Sequence, residues 1–171
     1  MNRLMLTMTM ALAAPIALAV PAASAMAEET EAQYEIPTPP AGQGQIIFYR
    51  TGAIGGAALG CAVFNNEEKL SSLGAGRYFR LTAPAGEQSF RVKSLEAKDV
   101  LTLEIEPDET QFVRCKIKAG FLSGRANIAP SSEKEFRKRY KKPRLVDADD
   151  MSEAVRETNY PATETAASEA E

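Results

Sequence analysis

Two cysteines and one run of cations are the residues of this chain best suited to chemistry. Cys61 lies in "GCAVFN" and Cys115 in "QFVRCKIK". Read as strands, with side chains alternating between faces, Cys61 shares a face with Val63, and Cys115 with Val113 and Ile117. Arg114 and Lys116 then point the other way. Both thiols sit on apolar faces, where a core cystine would lie. Two cysteines in an exported chain favour a bridge over a pair of buried thiols. Such a bridge closes a long loop and contributes about 2–4 kcal/mol. The cations are Lys134, Arg137, Lys138, Arg139, Lys141 and Lys142, with Arg144 just beyond. They admit three readings. One is contact with anionic lipid or cell-wall polymer, where about 1 kcal/mol per Lys or Arg is available near an acidic membrane surface. Another is an intramolecular partner in the acidic C-terminal residues. The third is a solvated helix face.

The chain contains no His and no Trp. That excludes Ser-His and Cys-His nucleophile pairs and any zinc site built on imidazole. The Gly- and Ala-rich "TGAIGGAALG", Thr51 to Gly60, has the composition of a phosphate cradle. A P-loop, however, ends in Lys-Ser or Lys-Thr and opens a helix, whereas this stretch runs into Cys61 and a strand-like segment. Glu104 and Glu106 have the spacing of one strand face, so they point toward water rather than into a cleft as an acid–base pair. In "LGAGRYFRLTAPAGEQSFRVK", Leu73 to Lys93, Arg and Tyr would suit a stacking surface. The plainer reading is turn, strand, turn, strand, with polar side chains on a solvated face. No cofactor is expected. The formal net charge of −3 gives no general attraction to nucleic acid.

The elements that must carry these residues follow from periodicity and turn chemistry. The opening "MNRLMLTMTMALAAPIALAVPAASA" has a basic start at Arg3, an apolar middle and a small-residue end. Ala23-Ser24-Ala25 fits the pattern read by signal peptidase, with Ala25-Met26-Ala27 as a second choice. Pro15 and Pro21 break the apolar stretch, and no Cys near the cleavage point offers a lipid anchor. The expectation is a signal peptide over residues 1–25, a mature chain without a transmembrane segment, and a periplasmic or secreted location. Residues 26–43 are acidic, then Pro- and Gly-rich, and read as a disordered lead-in.

A β domain is expected over 44–130. "QIIFYR" is apolar on both faces, as in a strand central to a sheet. Asn65-Asn66 marks a hairpin between "CAVF" and "KLSSL". Phe79 and Leu81, Phe90 and Val92, and Leu101, Leu103 and Ile105 each share an inward face. About seven short strands with turns between them argue for an antiparallel β-sandwich. Ser132 with Glu135 makes a capping box, so a basic helix is expected over 131–142, with Phe136 and Tyr140 on one face. Residues 143–171 read as an acidic disordered tail, apart from one or two helical turns near Met151 to Arg156.

On "GQIIFYR", the small-residue loop, "VFNNEEKLSSLGAGRYFRLTAPAGEQSFRV", "TQFVRCKI" and "GFLSGRANIAPSSEKEF", the chain resembles a bacterial family of exported proteins, the domain-of-unknown-function family 2846. The resemblance covers about Pro40 to Phe136. Pro84-Ala85-Gly86 departs from the family's Pro-Gly, and the basic helix and acidic tail have no place in its pattern. It implies a small β domain of the cell envelope and carries no catalytic residues. The function expected from all of this is a non-catalytic binding or structural module, with an unknown envelope protein or an anionic envelope surface as partner. The alternative is an inhibitor of a hydrolase, presenting the loop Thr51–Gly60 or Ala119–Ala129 on a disulfide-stapled β scaffold. The leader gives a first test. The exported protein should have the intact mass of a chain beginning at Met26; a retained leader or an added lipid mass contradicts that.

Overall fold

The structure, a computed structural model, describes residues 34–52, 59–93, 98–119, 124–139 and 143–161. Residues 1–25, expected to be a signal peptide, lie outside the described residues. Those described all belong to one unit, Ala32–Glu171. The chain is mainly β. Its strands are β1 (Gln43–Arg50), β2 (Cys61–Asn65), β3 (Glu68–Leu73), β4 (Arg77–Pro84), β5 (Gly86–Lys93), β6 (Lys98–Ile105), β7 (Thr110–Ala119), β8 (Gly124–Ser131) and β9 (Arg144–Leu145). Helix α1 (Glu133–Arg139) precedes β9. A 3-10 turn (Ala148–Asp150) and α2 (Glu153–Asn159) follow it.

The strands form two sheets, ordered β8-β7-β1-β4-β9 and β3-β2-β5-β6. The expected hairpin at Asn65-Asn66 is present, with Asn66 at a φ of 51° between β2 and β3. At Pro84-Ala85-Gly86 the chain turns from one sheet into the other, and Gly86 takes a φ of 116°, a conformation open to glycine. The pairing is not wholly antiparallel, as periodicity suggested. β1 runs parallel to β7, with Arg50 opposite Cys115, and β4 runs parallel to β9. Alternation along one strand reports its faces but not the direction of a distant partner.

β1 lies between β4 and β7 and is buried from Gly44 to Arg50. Ile46 and Phe48 enter one apolar cluster with Val63, Phe79, Phe90 and Val113, drawn from both sheets. Phe48 stacks on Phe79 and meets Phe90 edge-on, each at 5.0 Å between centroids. Ile47 and Tyr49 enter a second cluster with Tyr78, Phe112 and Phe136. The Cys61–Cys115 disulfide joins β2 to β7, and so one sheet to the other, with both residues buried.

Four expectations need correction. First, among the described residues there are nine strands rather than seven. The stretch expected as the loop Ala119–Ala129 contains β8, whose Ala126 and Ile128 are buried. Pro130 obscured it, yet β8 is an edge strand, where proline is tolerated. β9 is too short to show a period.

Second, the lead-in is not free of structure where it is described. Tyr34 and Ile36 pack on the second cluster, and Gln45 Nε2 donates to Pro37 O at 2.9 Å. Third, the helix begins at Glu133 rather than at residue 131, because Ser131 closes β8; it is described to Arg139, and residues 140–142 lie outside the described set. The first half of the capping box forms, with Glu135 N donating to Ser132 Oγ at 3.3 Å.

Fourth, the acidic segment is folded over 143–161. Val146, Met151 and Val155 enter the main core, so apolar side chains spaced along the acidic sequence outweigh its composition. Residues 162–171 lie outside the described set.

Side chains cap parts of the sheet edges. In β8, Ile128 N donates to Asp99 Oδ2 at 2.8 Å, and Asn127 Nδ2 donates to the same oxygen at 2.7 Å. Main-chain groups of Ile128 and Pro130 therefore point away from β7, and Pro130 has no N–H to offer. Asp99, on edge strand β6, acts as an inward-turned charge that blunts a facing edge. Asp99→Ala should lower the unfolding free energy by about 1–3 kcal/mol, because it leaves a part-buried N–H unpaired. Asp99→Asn, which keeps an acceptor oxygen, should cost less. Urea denaturation of the three proteins reads the order; equal midpoints contradict it.

Candidate anionic-surface contact

The pairing registers define two ends of the molecule. β1 and β7 finish where β8 and β4 begin, with Ala119 opposite Gly124 and Tyr49 opposite Tyr78. In the other sheet, Lys93 is opposite Lys98 and Cys61 is opposite Leu73. The disulfide ties these strand ends together, and they are called the cystine end below. At the other end Gln43 is opposite Pro84 and Gly86 is opposite Ile105.

Exposed charge on β5 to β8 and the turns between them is uneven between these ends. Lys93, Lys116, Lys118 and Arg125 belong to strand positions toward the cystine end, and all are exposed. Lys118 and Arg125 are cross-strand partners. Glu87, Glu104, Glu106, Asp108 and Glu109 lie toward the other end and are exposed. Asp99 and Asp147 are acids near the cystine end; Asp99 is engaged by Asn127 and Ile128, and Asp147 by Arg77.

The six helix cations expected to form one contact surface do not act alike. Lys134 and Lys138 are exposed, four residues apart on α1. Arg137 is turned to structural use. Its Nε meets Glu133 Oε1 at 2.6 Å, and its Nη1 donates to Tyr34 O at 2.8 Å. Arg137 thus ties the lead-in to the helix, because Glu133 sits one turn before it. Arg139 closes α1. Its side chain, together with Lys141 and Lys142, lies outside the described set.

The acidic C-terminal segment has partners away from α1. Asp147 meets Arg77 at 3.0 Å and Asp150 approaches Lys69 at 4.0 Å. Asn159 gives β4 both halves of a strand-like pairing, accepting from Arg80 N at 3.1 Å and donating to Arg80 O at 2.7 Å. Thr158 Oγ1 accepts from Thr82 N at 3.2 Å, and Ser152 N donates to Leu70 O. The segment is an edge cover for β4 and β3.

Sequence reasoning missed the β7–β8 cations as a group. Lys116 was readable as outward from "VRCKIK", but without β8 as a strand Arg125 had no position beside Lys118. The remaining chemistry-bearing groups are placed unremarkably. Glu104 and Glu106 are exposed. Burial pushes the Tyr78 phenol well above its ordinary range; a hydrogen bond with Tyr34 and its charge add to the shift, while Arg80 opposes it. Tyr78 therefore stays neutral. Among the described residues no group of three or more His, Cys, Asp or Glu could hold a metal ion. None of the helices among them is long and apolar enough to cross a membrane.

Comparison with family models, curated proteins and solved structures found no match.

Proposed function

We propose that the protein is a non-catalytic module of the bacterial cell envelope that docks on an anionic surface through its cystine end. In this reading the two sheets stack as a sandwich and the mature chain is periplasmic or secreted. The resemblance to the domain-of-unknown-function family 2846 supports an envelope location, and a buried disulfide is compatible with an oxidising compartment. The observation that carries the reading is the division of exposed charge. On a chain of net charge −3, Lys93, Lys116, Lys118 and Arg125 gather toward one end, where Asp99 and Asp147 are each engaged by a partner, and five exposed acids lie toward the other. Such a distribution orients a protein on an anionic surface even when its total charge is unfavourable.

A second reading, a hydrolase inhibitor, draws support from the same end. Leu59, next to the close of the loop Thr51–Gly60, lies against Gly124 at the start of β8. The expected loops therefore meet at their described boundaries, although Gly124 to Ala129 belong to a strand. A discrete protein recovered by crosslinking in the native envelope, without salt-sensitive surface binding, favours this alternative.

Cosedimentation with peptidoglycan sacculi and with phosphatidylglycerol vesicles tests the docking. Binding should be present at 0.1 M salt and weak at 1 M, as the Debye length falls from about 10 Å to about 3 Å. Replacing Lys93, Lys116, Lys118 and Arg125 by Gln should weaken binding at least about tenfold, since each cation is worth up to about 1 kcal/mol at such a surface. Failure to bind either material at low salt contradicts the proposal.

A further inference from the structure

We propose that the end of the molecule opposite the cystine receives a basic segment of a partner protein, with one lysine or arginine side chain of that partner seated in a groove beside β8. This end is the one away from the anionic docking surface above, so the two contacts are independent. The groove has a volume of about 350 Å³ and is bounded by β6, the start of β7, the end of β8 and the start of α1.

Two features of its lining select the occupant. The first is apolar surface, from Phe112, which is nearly buried, and Leu103, which is half-buried. Gln111 Nε2 donates to Glu104 O at 2.6 Å and ties β7 to β6 at the groove. The second is carboxylate at the rim. Glu109 and Glu133 line the groove and are exposed. Glu133 is held by Arg137, whose Nε meets Oε1 at 2.6 Å, and Glu109 has no ion-pair partner among the described residues. Among the described residues no Lys or Arg lines the groove. The hydroxyls of Thr110, Ser131 and Ser132 are already engaged, by Gln45, Tyr49 and the Glu135 N–H. What the lining offers a ligand is therefore apolar surface beside negative charge.

A side chain with an apolar stem and a cationic head matches both, the stem against Phe112 and Leu103 and the head at Glu109 and Glu133. A protein matches the surroundings better than a lone amine. Glu87, Glu104, Glu106 and Asp108 are exposed at the same end, so further cations of one partner surface have counterparts around the seated one. Glu87 and Glu104 stand directly opposite each other across β5 and β6, an arrangement of like charges that destabilises a sheet until a cation offsets it.

Fluorescence anisotropy with a labelled peptide carrying three lysines, at low salt, tests the contact. Exchanging the lysines for 2,3-diaminopropionate keeps the charge and shortens each stem. That peptide should bind about fivefold more weakly, the scale of losing part of one stem's burial. Acetyl-lysine, which keeps the stem and removes the charge, should abolish binding. Glu109→Gln should weaken the lysine peptide by about fivefold, and Glu109→Gln with Glu133→Gln by about tenfold, the scale of exposed charge pairs. Glu109→Gln alone carries the test should the double variant melt at a lower temperature. Glu87→Gln should raise the urea midpoint while weakening the peptide, two signs that a merely solvated face does not combine. Glu68→Gln, on β3, should leave the peptide's affinity unchanged. Replacing Lys93, Lys116, Lys118 and Arg125 by Gln should leave peptide binding intact, so this contact and the anionic docking fail separately. Equal affinity for the lysine and diaminopropionate peptides, with Glu109→Gln equal to wild type, overturns the groove as the seat. Spermidine binding tighter than the peptide overturns the choice of a protein partner. No peptide binding at low salt overturns the proposal.

Discussion

Burial of β1 on both faces is the constraint from which the rest of the structure follows. A strand with Ile46 and Phe48 on one side and Ile47 and Tyr49 on the other has no face for water, so both sides must be covered. The four-stranded sheet supplies Val63 and Phe90 to one side. On the other, Phe136 of α1 meets Tyr49 at 5.2 Å, Phe112 at 5.6 Å and Tyr78 at 6.0 Å between ring centroids. Tyr34 of the lead-in completes that cover, 5.3 Å from Tyr78. The Tyr49 hydroxyl, carried into this apolar setting, is satisfied by Ser131 Oγ at 2.6 Å. Even the approach of β1 to the other sheet is close. A Cβ on Gly44 would collide with the Ile105 side chain and the Glu106 carbonyl, so only glycine fits there.

Covering β1 in this way leaves strand edges to be managed, and their management distributes the charge. At the β6–β8 side, Asp99 takes up the Ile128 N–H and Pro130 has none, so two donors that a foreign strand could use are gone. At the β4 and β3 side, residues 144–159 supply Asn159, Thr158 and Ser152 to the open main chain. The acids of that segment come with it, and Asp147 and Asp150 find Arg77 and Lys69. These exposed pairs add little stability in water. Their consequence is positional: acidic residues are held beside β4 and β3, while Lys116, Lys118 and Arg125 stand on the β7–β8 hairpin.

Legibility in the sequence followed the physics of each element. Strands with a one-sided or two-sided apolar pattern were readable, from "QIIFYR" to "VLTLEIE", and the turn at Asn66 announced itself by residue type. So did the disulfide, because both cysteines alternate with core residues. β8 was not readable, since glycine and proline at its ends mimic a loop and only an edge position excuses them. The parallel pairing of β1 with β7 is a tertiary fact with no local trace. The acidic segment misled by composition: Val146, Met151 and Val155 are three apolar anchors spread through charge, too sparse for a periodic signal but enough to dock. Of the candidate contact, α1's cations were visible as a run. That Arg137 would be spent on Glu133 and Tyr34 depended on where the lead-in packs.

Amide hydrogen exchange of the mature protein, with and without anionic vesicles at low salt, tests the orientation at the centre of this account. Exchange should slow at Leu59 to Ala62, Val92 and Lys93, and Ile117 and Lys118 with Gly124 to Ala126. Exchange at Gly86 to Gln88 and Ile105 to Thr110 should stay unchanged. Protection that appears at the acidic end, or spreads evenly over both ends, would contradict the account.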